Sequence, residues 1–342
     1  MFILRNVTSN DLDDLYELSG KVYFINLPHD KEIIRSKIER SQECFINPSP
    51  NLDENYYFFV LEDTEHNKVI GVSMIHAQHG TEKEPHFYLK VSSEHKFSQT
   101  INTGFVHGTL KLGLDTDGPT EIGGLVLHPD YRGNKDKLGK QISFVRFLYM
   151  ALHPQSFKPV VHSELMPPLD PDGNSPLWEA IGRRFMNMGY QEADKLSRNN
   201  KEFILSLFPS ENIYMTLLTP EARNAIGKVG EDTQPVKKML EKIGFTYVNE
   251  VDPFDGGPHY RAKLQDLTLV QGFKKAIVTD SLESKNFVRR DCIMSFNHPH
   301  YSFMATKLTL LYNPSENLVY FEKGAEDLNI PVGDEICFIP FN

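Results

Sequence analysis

An apolar run, Leu125-Val126-Leu127, ends at His128-Pro129 and passes through Asp130-Tyr131-Arg132-Gly133-Asn134-Lys135-Asp136-Lys137-Leu138-Gly139-Lys140 into an amphipathic stretch over 141–152. Strand, cationic glycine-bearing loop and helix start, in that order, form a place for a phosphate. The first N–H groups of a helix have no partner within it, the helix dipole is positive there, and glycine lets an anion approach the main chain. Arg132, Lys135, Lys137 and Lys140 supply charge, while Gly133 and Gly139 permit close approach. An exposed basic turn feeding a helix uses the same residue types. The apolar strand directly upstream favours the phosphate site.

Around this segment the chain must build a scaffold. At 342 residues it exceeds the usual single domain, so a large domain with a smaller one is expected. No stretch approaches about 18 uninterrupted apolar residues, which argues against a membrane span. Met1–Arg5 reads as a strand and not as a secretion signal. Cys44, Cys292 and Cys337 lack metal-ligand spacing, which points to a reducing cytoplasm and to no bound metal. The net charge of −10 weighs against nucleic acid as the main partner, since phosphate backbones call for a basic face.

Period-two alternation predicts strands at Phe2–Val7, Tyr56–Leu61, Lys68–His76, Phe87–Val91, Thr120–Leu127, Val160–Leu165 and Phe245–Val251. Helices are expected at Leu12–Ser19 behind Asn10-Asp11, around Ile33, Ile34, Ile38 and Cys44, and at Gln141–Leu152. Further helices are expected at Pro176–Asn187 behind Ser175, at Glu221–Val229, and at Pro235–Ile243 before the stop Gly244. Residues 77–118 show extended patches and turns. Beyond about 262, Ala276–Thr279, Ser302–Leu311, Leu318–Phe321 and Glu335–Phe341 alternate as short strands of a β-rich appendage.

The middle of the chain carries a family likeness. Asp172-Gly173-Asn174-Ser175-Pro176-Leu177-Trp178-Glu179-Ala180-Ile181-Gly182-Arg183-Arg184-Phe185, then Ala225-Ile226-Gly227, Leu240-Glu241-Lys242-Ile243-Gly244-Phe245 and Phe254-Asp255-Gly256-Gly257-Pro258 occur in order. Together they resemble the arginine N-succinyltransferases, collinearly over the chain and most strongly over 119–260.

The resemblance implies an α/β (α+β) GCN5-related N-acyltransferase fold, with a mixed central sheet flanked by helices. It is read here as an acyltransferase domain over 1–260, with an acyl-coenzyme A core at 119–165, and a small β-rich C-terminal domain over 261–342. The implied reaction moves succinyl from succinyl-coenzyme A to the α-amine of L-arginine, in arginine catabolism. Coenzyme A is then a co-substrate, no cofactor is permanently bound, and the partners are small molecules, with a homo-oligomer suggested by the family. An acyltransferase on this scaffold with another amine or acyl group, or a non-catalytic coenzyme A-binding descendant, stays open as an alternative.

The resemblance also distributes roles. Leu125, with Val126 and Leu127, meets the acyl donor, and Arg132, Gly133, Gly139 and Lys140 its phosphates. The family's proposed proton-donating histidine falls on Gly230, which leaves the neighbours Glu231 and Asp232 as candidate carboxylate acids or bases. A second departure is Lys21-Val22-Tyr23-Phe24-Ile25-Asn26-Leu27-Pro28, where the family has a glycine-rich loop. His128 and His162 are further proton-transfer candidates. Arg183 and Arg184 could fork onto a succinyl carboxylate. A guanidinium acceptor needs carboxylates, and Glu164, Asp170, Asp172, Asp252 and Asp255 are the candidates.

The chemistry asks little of any one of them. An α-ammonium of pKa near ~8 is partly deprotonated at neutrality, and a thiol of ~8.5 leaves as thiolate. General acid–base help is worth about 10²–10⁴-fold, while positioning and an oxyanion donor near Leu125 supply much of the rest.

Overall fold

The strand Phe2–Asn6 buries four of its five residues because it is paired on both sides, with Tyr56–Asp63 and with Met304–Asn313. This pairing belongs to a computed structural model that describes residues 1–21, 27–197, 200–282, 286–322 and 328–341. The departure from the glycine-rich loop falls largely on 22–26, outside the described residues. The chain forms two compact units. The first comprises 1–78, 120–159 and 264–342, and the second 79–119 and 160–263.

In the first unit, Phe2–Asn6, Tyr56–Asp63, Lys68–His76 and Thr120–Leu127 pair antiparallel in that order. Three helices cover the sheet. Lys31–Ile46 is started by the Asp30 carboxylate, which accepts from the amides of Glu32 and Ile33 at 2.9 and 3.2 Å. Leu12–Lys21 and Lys31–Ile46 pack Leu15, Leu18, Ile34 and Ile38 against Phe58, Val60 and Val72. Leu138–Leu152 is buried nearly all round, which accounts for its weak amphipathicity.

The C-terminal strands close on themselves. Val288–Ser295, Glu335–Pro340, Lys274–Val278, Leu318–Tyr320 and Met304–Asn313 each pair with the next, and the last pairs back to the first. Their interior is filled by Cys292, Met294, Leu310, Val319, Ile336 and Phe338. The β-rich tail is thus a closed ring of strands, but one of its members, Met304–Asn313, also extends the N-terminal sheet. Residues 264–342 share a unit with 1–78 and 120–159.

In the second unit the extended patches within 77–118 form a long hairpin, His86–Ser98 against Thr103–Asp115, paired at all thirteen positions. Thr246–Val251 joins the hairpin's first strand, Pro258–Lys263 joins Thr246–Val251, and Val160–Glu164 joins Pro258–Lys263. Short helices cover this sheet around Trp178, Ile204, Ala222 and Phe254.

The helix expected over 176–187 is two pieces, Pro176–Ala180 and Gly182–Met186, broken at Ile181 with φ −123° and ψ −75°. Gly182 lies directly against the Trp178 ring, where a Cβ would collide. Trp178 is fully buried and stacks on Phe254 with ring centroids 4.9 Å apart, but the break turns Phe185 outward, 55% exposed. Only the first of the two aromatics is core.

Candidate active site

The strand Thr120–Leu127 carries an irregularity at the point that matters. Val72 pairs Val126 and Met74 pairs Gly123, so Gly124 and Leu125 together oppose Ser73. That is a β-bulge, which twists the strand and leaves the extra residue outside the ladder. Gly124 adopts φ +60°, and a Cβ there would run into the Met74 side chain, so glycine is required on both counts. The buried guanidinium of Arg146 donates to the Gly123 carbonyl at 3.2 Å and to the Ser143 carbonyl at 3.0 Å, tying the bulge to the helix Leu138–Leu152. Burial pulls Arg146 down to about 9.

After the bulge, Val126 is buried while Leu125 and Leu127 are half-buried. Pro129–Tyr131 makes one tight turn, and Arg132 and Gly133 are exposed. Gly133 has φ +73°, and nothing stands within 4 Å of a Cβ built on it. The helix starts at Leu138, three residues before the expected Gln141, because Lys137 turns left-handed at φ 56°. The Gln141 amide then donates to the Asp136 carbonyl at 2.9 Å and fastens the loop to the helix. Lys140 lies over the rings of Phe144 and Phe341 at 5.0 and 4.7 Å, so part of its charge is spent on aromatic faces.

The remaining sequence-nominated residues fall in the second unit, except His128. That histidine is buried and accepts from the Asp130 amide at 3.3 Å, a turn role. Glu231 and Asp232 are exposed in a one-turn helix, Glu231–Thr233. Beside them the Gly230 amide donates to the Met166 carbonyl at 2.9 Å. A Cβ at Gly230 would stand 3.0 Å from the Pro167 carbonyl oxygen, so main chain packs where a histidine side chain would begin. Arg183 is exposed and paired with Glu179 at 3.1 Å across one helical turn. Arg184 is also exposed. Asp170 accepts from the amides of Asp172 and Asn174 at 2.9 and 2.7 Å and closes its own loop.

Asp252 and Asp255 are a different case. Asp252 accepts from the amides of Phe254 and Asp255 at 2.7 and 3.0 Å, and Asp255 from that of Gly257 at 2.7 Å. Burial, with the charge of Glu164, pushes the Asp252 carboxyl up to about 7. Burial and Asp252 push Asp255 well above the usual range. Two such carboxyls are short of positive charge, and a docking cation would bring both back down.

One cluster emerges from strand pairing alone. His259 lies opposite Glu164, and Arg261 opposite His162, on neighbouring antiparallel strands. Residues two apart share a face, so all four side chains point the same way. His86, at the start of the long hairpin, joins them, with its ring centroid 5.0 Å from that of His162 and 5.3 Å from that of His259. One carboxylate oxygen, Glu164 Oε1, lies 3.4 Å from His162 Nε2, 3.6 Å from His259 Nε2 and 3.7 Å from His86 Nδ1. Arg261 continues the network, donating Nε–H to His162 Nδ1 at 3.2 Å and meeting Asp115 at 2.8 Å and Glu250 at 3.1 Å.

The electrostatics of the cluster are consistent. Burial holds the His86 imidazole well below its ordinary value and takes His259 down to about 3, so both are neutral. Burial opposes the Glu164 anion, but the His162 hydrogen bond prevails and holds its carboxyl well below the usual range. The histidines therefore surround an anion already engaged, and Glu164 is less free for a guanidinium than Asp255. Sequence spacing could not reveal this group, since 86, 162 and 259 lie on separate segments and only the register unites them.

Comparison with known proteins follows the same lines. The sequence profile described as "Arginine N-succinyltransferase beta subunit" matches residues 2–269. An arginine N-succinyltransferase of Yersinia pestis (strain Pestoides F) is 34% identical over 345 aligned positions, 99% of this chain and 97% of that one. One from Photorhabdus laumondii is 31% identical, covering 99% and 98%. Among solved structures, the arginine/ornithine succinyltransferase subunit AI of Pseudomonas aeruginosa superposes with a TM-score of 0.82 at 26% identity, over 99% of this chain and 98% of that one.

Proposed function

The chain belongs to the arginine N-succinyltransferase family, and from that premise we propose that it transfers the succinyl group of succinyl-coenzyme A to the α-amine of L-arginine. The observation that carries this reading is the bulge at Gly124–Leu125, which runs straight into a basic loop and a helix start. A bulge frees main-chain N–H groups from the ladder, and such donors can stabilise a thioester oxygen as charge builds on it. The acyl chain is assigned to Leu125, Val126 and Leu127, and the phosphates to Arg132, Gly133, Gly139 and the start of the helix, with Lys140 alongside.

The acceptor's cation is assigned to the second unit, where burial and neighbouring carboxylates push the Asp252 and Asp255 carboxyls up. Arg183, which would release Glu179 to do so, is the proposed partner of the succinyl carboxylate. Glu231 and Asp232 are the proposed proton carriers, on the strength of their place beside Gly230 and their contact with solvent. No helix among the described residues is long and apolar enough to cross a membrane. Three buried free cysteines suit a reducing cytoplasm.

Release of free thiol, measured across acyl-coenzyme A donors with arginine, ornithine and other amines, tests the reaction. Turnover with succinyl-coenzyme A and arginine is expected. Turnover confined to other pairs would replace the substrate assignment, and coenzyme A binding without turnover by any pair would replace the enzyme with a binding protein.

A further inference from the structure

We infer that the second unit binds a divalent transition-metal ion, held by His86 Nδ1, His259 Nε2 and Glu164 Oε1, with His162 positioning the carboxylate. This inference stands on the cluster alone and does not depend on succinyl transfer.

Three observations point to it. The first is spacing. The two imidazole nitrogens lie 3.7 and 3.6 Å from the Glu164 oxygen. A tetrahedral ion with bonds of about 2.0–2.2 Å sets its donor atoms roughly 3.3–3.6 Å apart, so a small contraction completes the site. The separations are too long for hydrogen bonds, and they suit atoms that share a third partner.

The second is orphaned polarity. The His259 side chain is 0% exposed and His86 2%, yet neither ring nitrogen of His259, nor Nε2 of His86, has a hydrogen-bond partner among the described residues. Leaving buried polar atoms unpaired is costly, so such atoms ordinarily have a partner. Coordination engages one of these orphans, His259 Nε2, together with His86 Nδ1, which faces Glu164 at 3.7 Å, and leaves each ring's proton on its far nitrogen.

The third is the division of labour among the histidines. A guanidinium only donates, so Arg261 Nε fixes His162 Nδ1 as an acceptor and leaves the His162 proton on Nε2, facing Glu164. His162 is therefore a donor to the liganding carboxylate, the outer-shell arrangement that orients a metal ligand. Two neutral imidazoles and one carboxylate form the donor set of open zinc sites and of facial triads, in which further positions are left for small ligands. Glu164 is the accessible member, with 31% of its side chain exposed, so the open positions take water or a small oxyanion such as a carboxylate.

The test uses the full chain, stripped with a chelator, reloaded with Zn²⁺ and desalted before elemental analysis. One retained equivalent is expected. His86→Gln and His259→Gln should each weaken zinc binding by about 100-fold or more, and His162→Gln by about 10–100-fold. Replacing His300, an exposed histidine of the first unit, with Gln should change nothing. Failure of the wild type to retain zinc, or equal retention by the His86→Gln/His259→Gln double variant, overturns the site. X-ray absorption on the zinc-loaded wild type keeps the test decisive should those variants misfold. Two imidazoles in the zinc shell are expected, and a shell without imidazole refutes the assignment.

Discussion

Replacing Asp252 with Asn should make the protein less sensitive to alkaline pH, and the size of the effect follows from the site. Burial and the neighbouring Glu164 charge raise the Asp252 carboxyl from 3.8 to about 7. Between those two values the native protein holds a proton that the unfolded chain has already released. Stability therefore falls as pH rises through that window, and the full penalty is present above the folded value. Integrated from pH ~5 to pH ~8, the loss is roughly 2–3 kcal/mol. Asparagine keeps an acceptor for the Phe254 and Asp255 amides but never ionises. Urea denaturation at the two pH values measures the difference. Asp252→Asn should gain on the wild type by roughly 2–3 kcal/mol between them. Parallel pH profiles for the two proteins would refute a raised carboxyl at this position. Saturating arginine should also protect the wild type more than the variant at the higher pH, because a guanidinium supplies the missing charge.

Arg132→Ala should raise the apparent KM for the acyl donor roughly five- to thirty-fold, about 1–2 kcal/mol for one exposed charged contact, and leave that for the amine nearly unchanged. Equal effects on both substrates in steady-state kinetics would contradict the phosphate role. Gly124→Val places a branched side chain at φ +60° against Met74. The combined strain should cost roughly 2–5 kcal/mol in denaturation experiments and abolish turnover; a variant with wild-type activity would remove the bulge from catalysis. Glu231→Gln should lower kcat with little change in either KM, and an unchanged kcat in steady-state kinetics would take Glu231 out of proton transfer.

What the sequence determined by itself was local. The strand Thr120–Leu127, the basic loop and the following helix were legible because alternation, glycine placement and the 3.6-residue period act over a few neighbours. The capping of helices by Asp30 and Ser175 obeys the same short-range chemistry. Tertiary structure decided whatever depends on partners far along the chain. The helix at 176–187 breaks because Gly182 must fit against the buried Trp178 ring, which leaves Phe185 in solvent. The β-rich tail merges with the N-terminal sheet because Met304–Asn313 pairs on both sides. The carboxyls of Asp252 and Asp255 acquire their unusual affinity for protons through burial and through the carboxylates that packing brings beside them. Above all, three histidines meet around Glu164 through the register of strands and the start of a hairpin. A lone histidine in each segment reads as unremarkable. Antiparallel pairing sets which residues stand opposite, and a shift of one residue would turn these side chains to the other face and disperse the cluster.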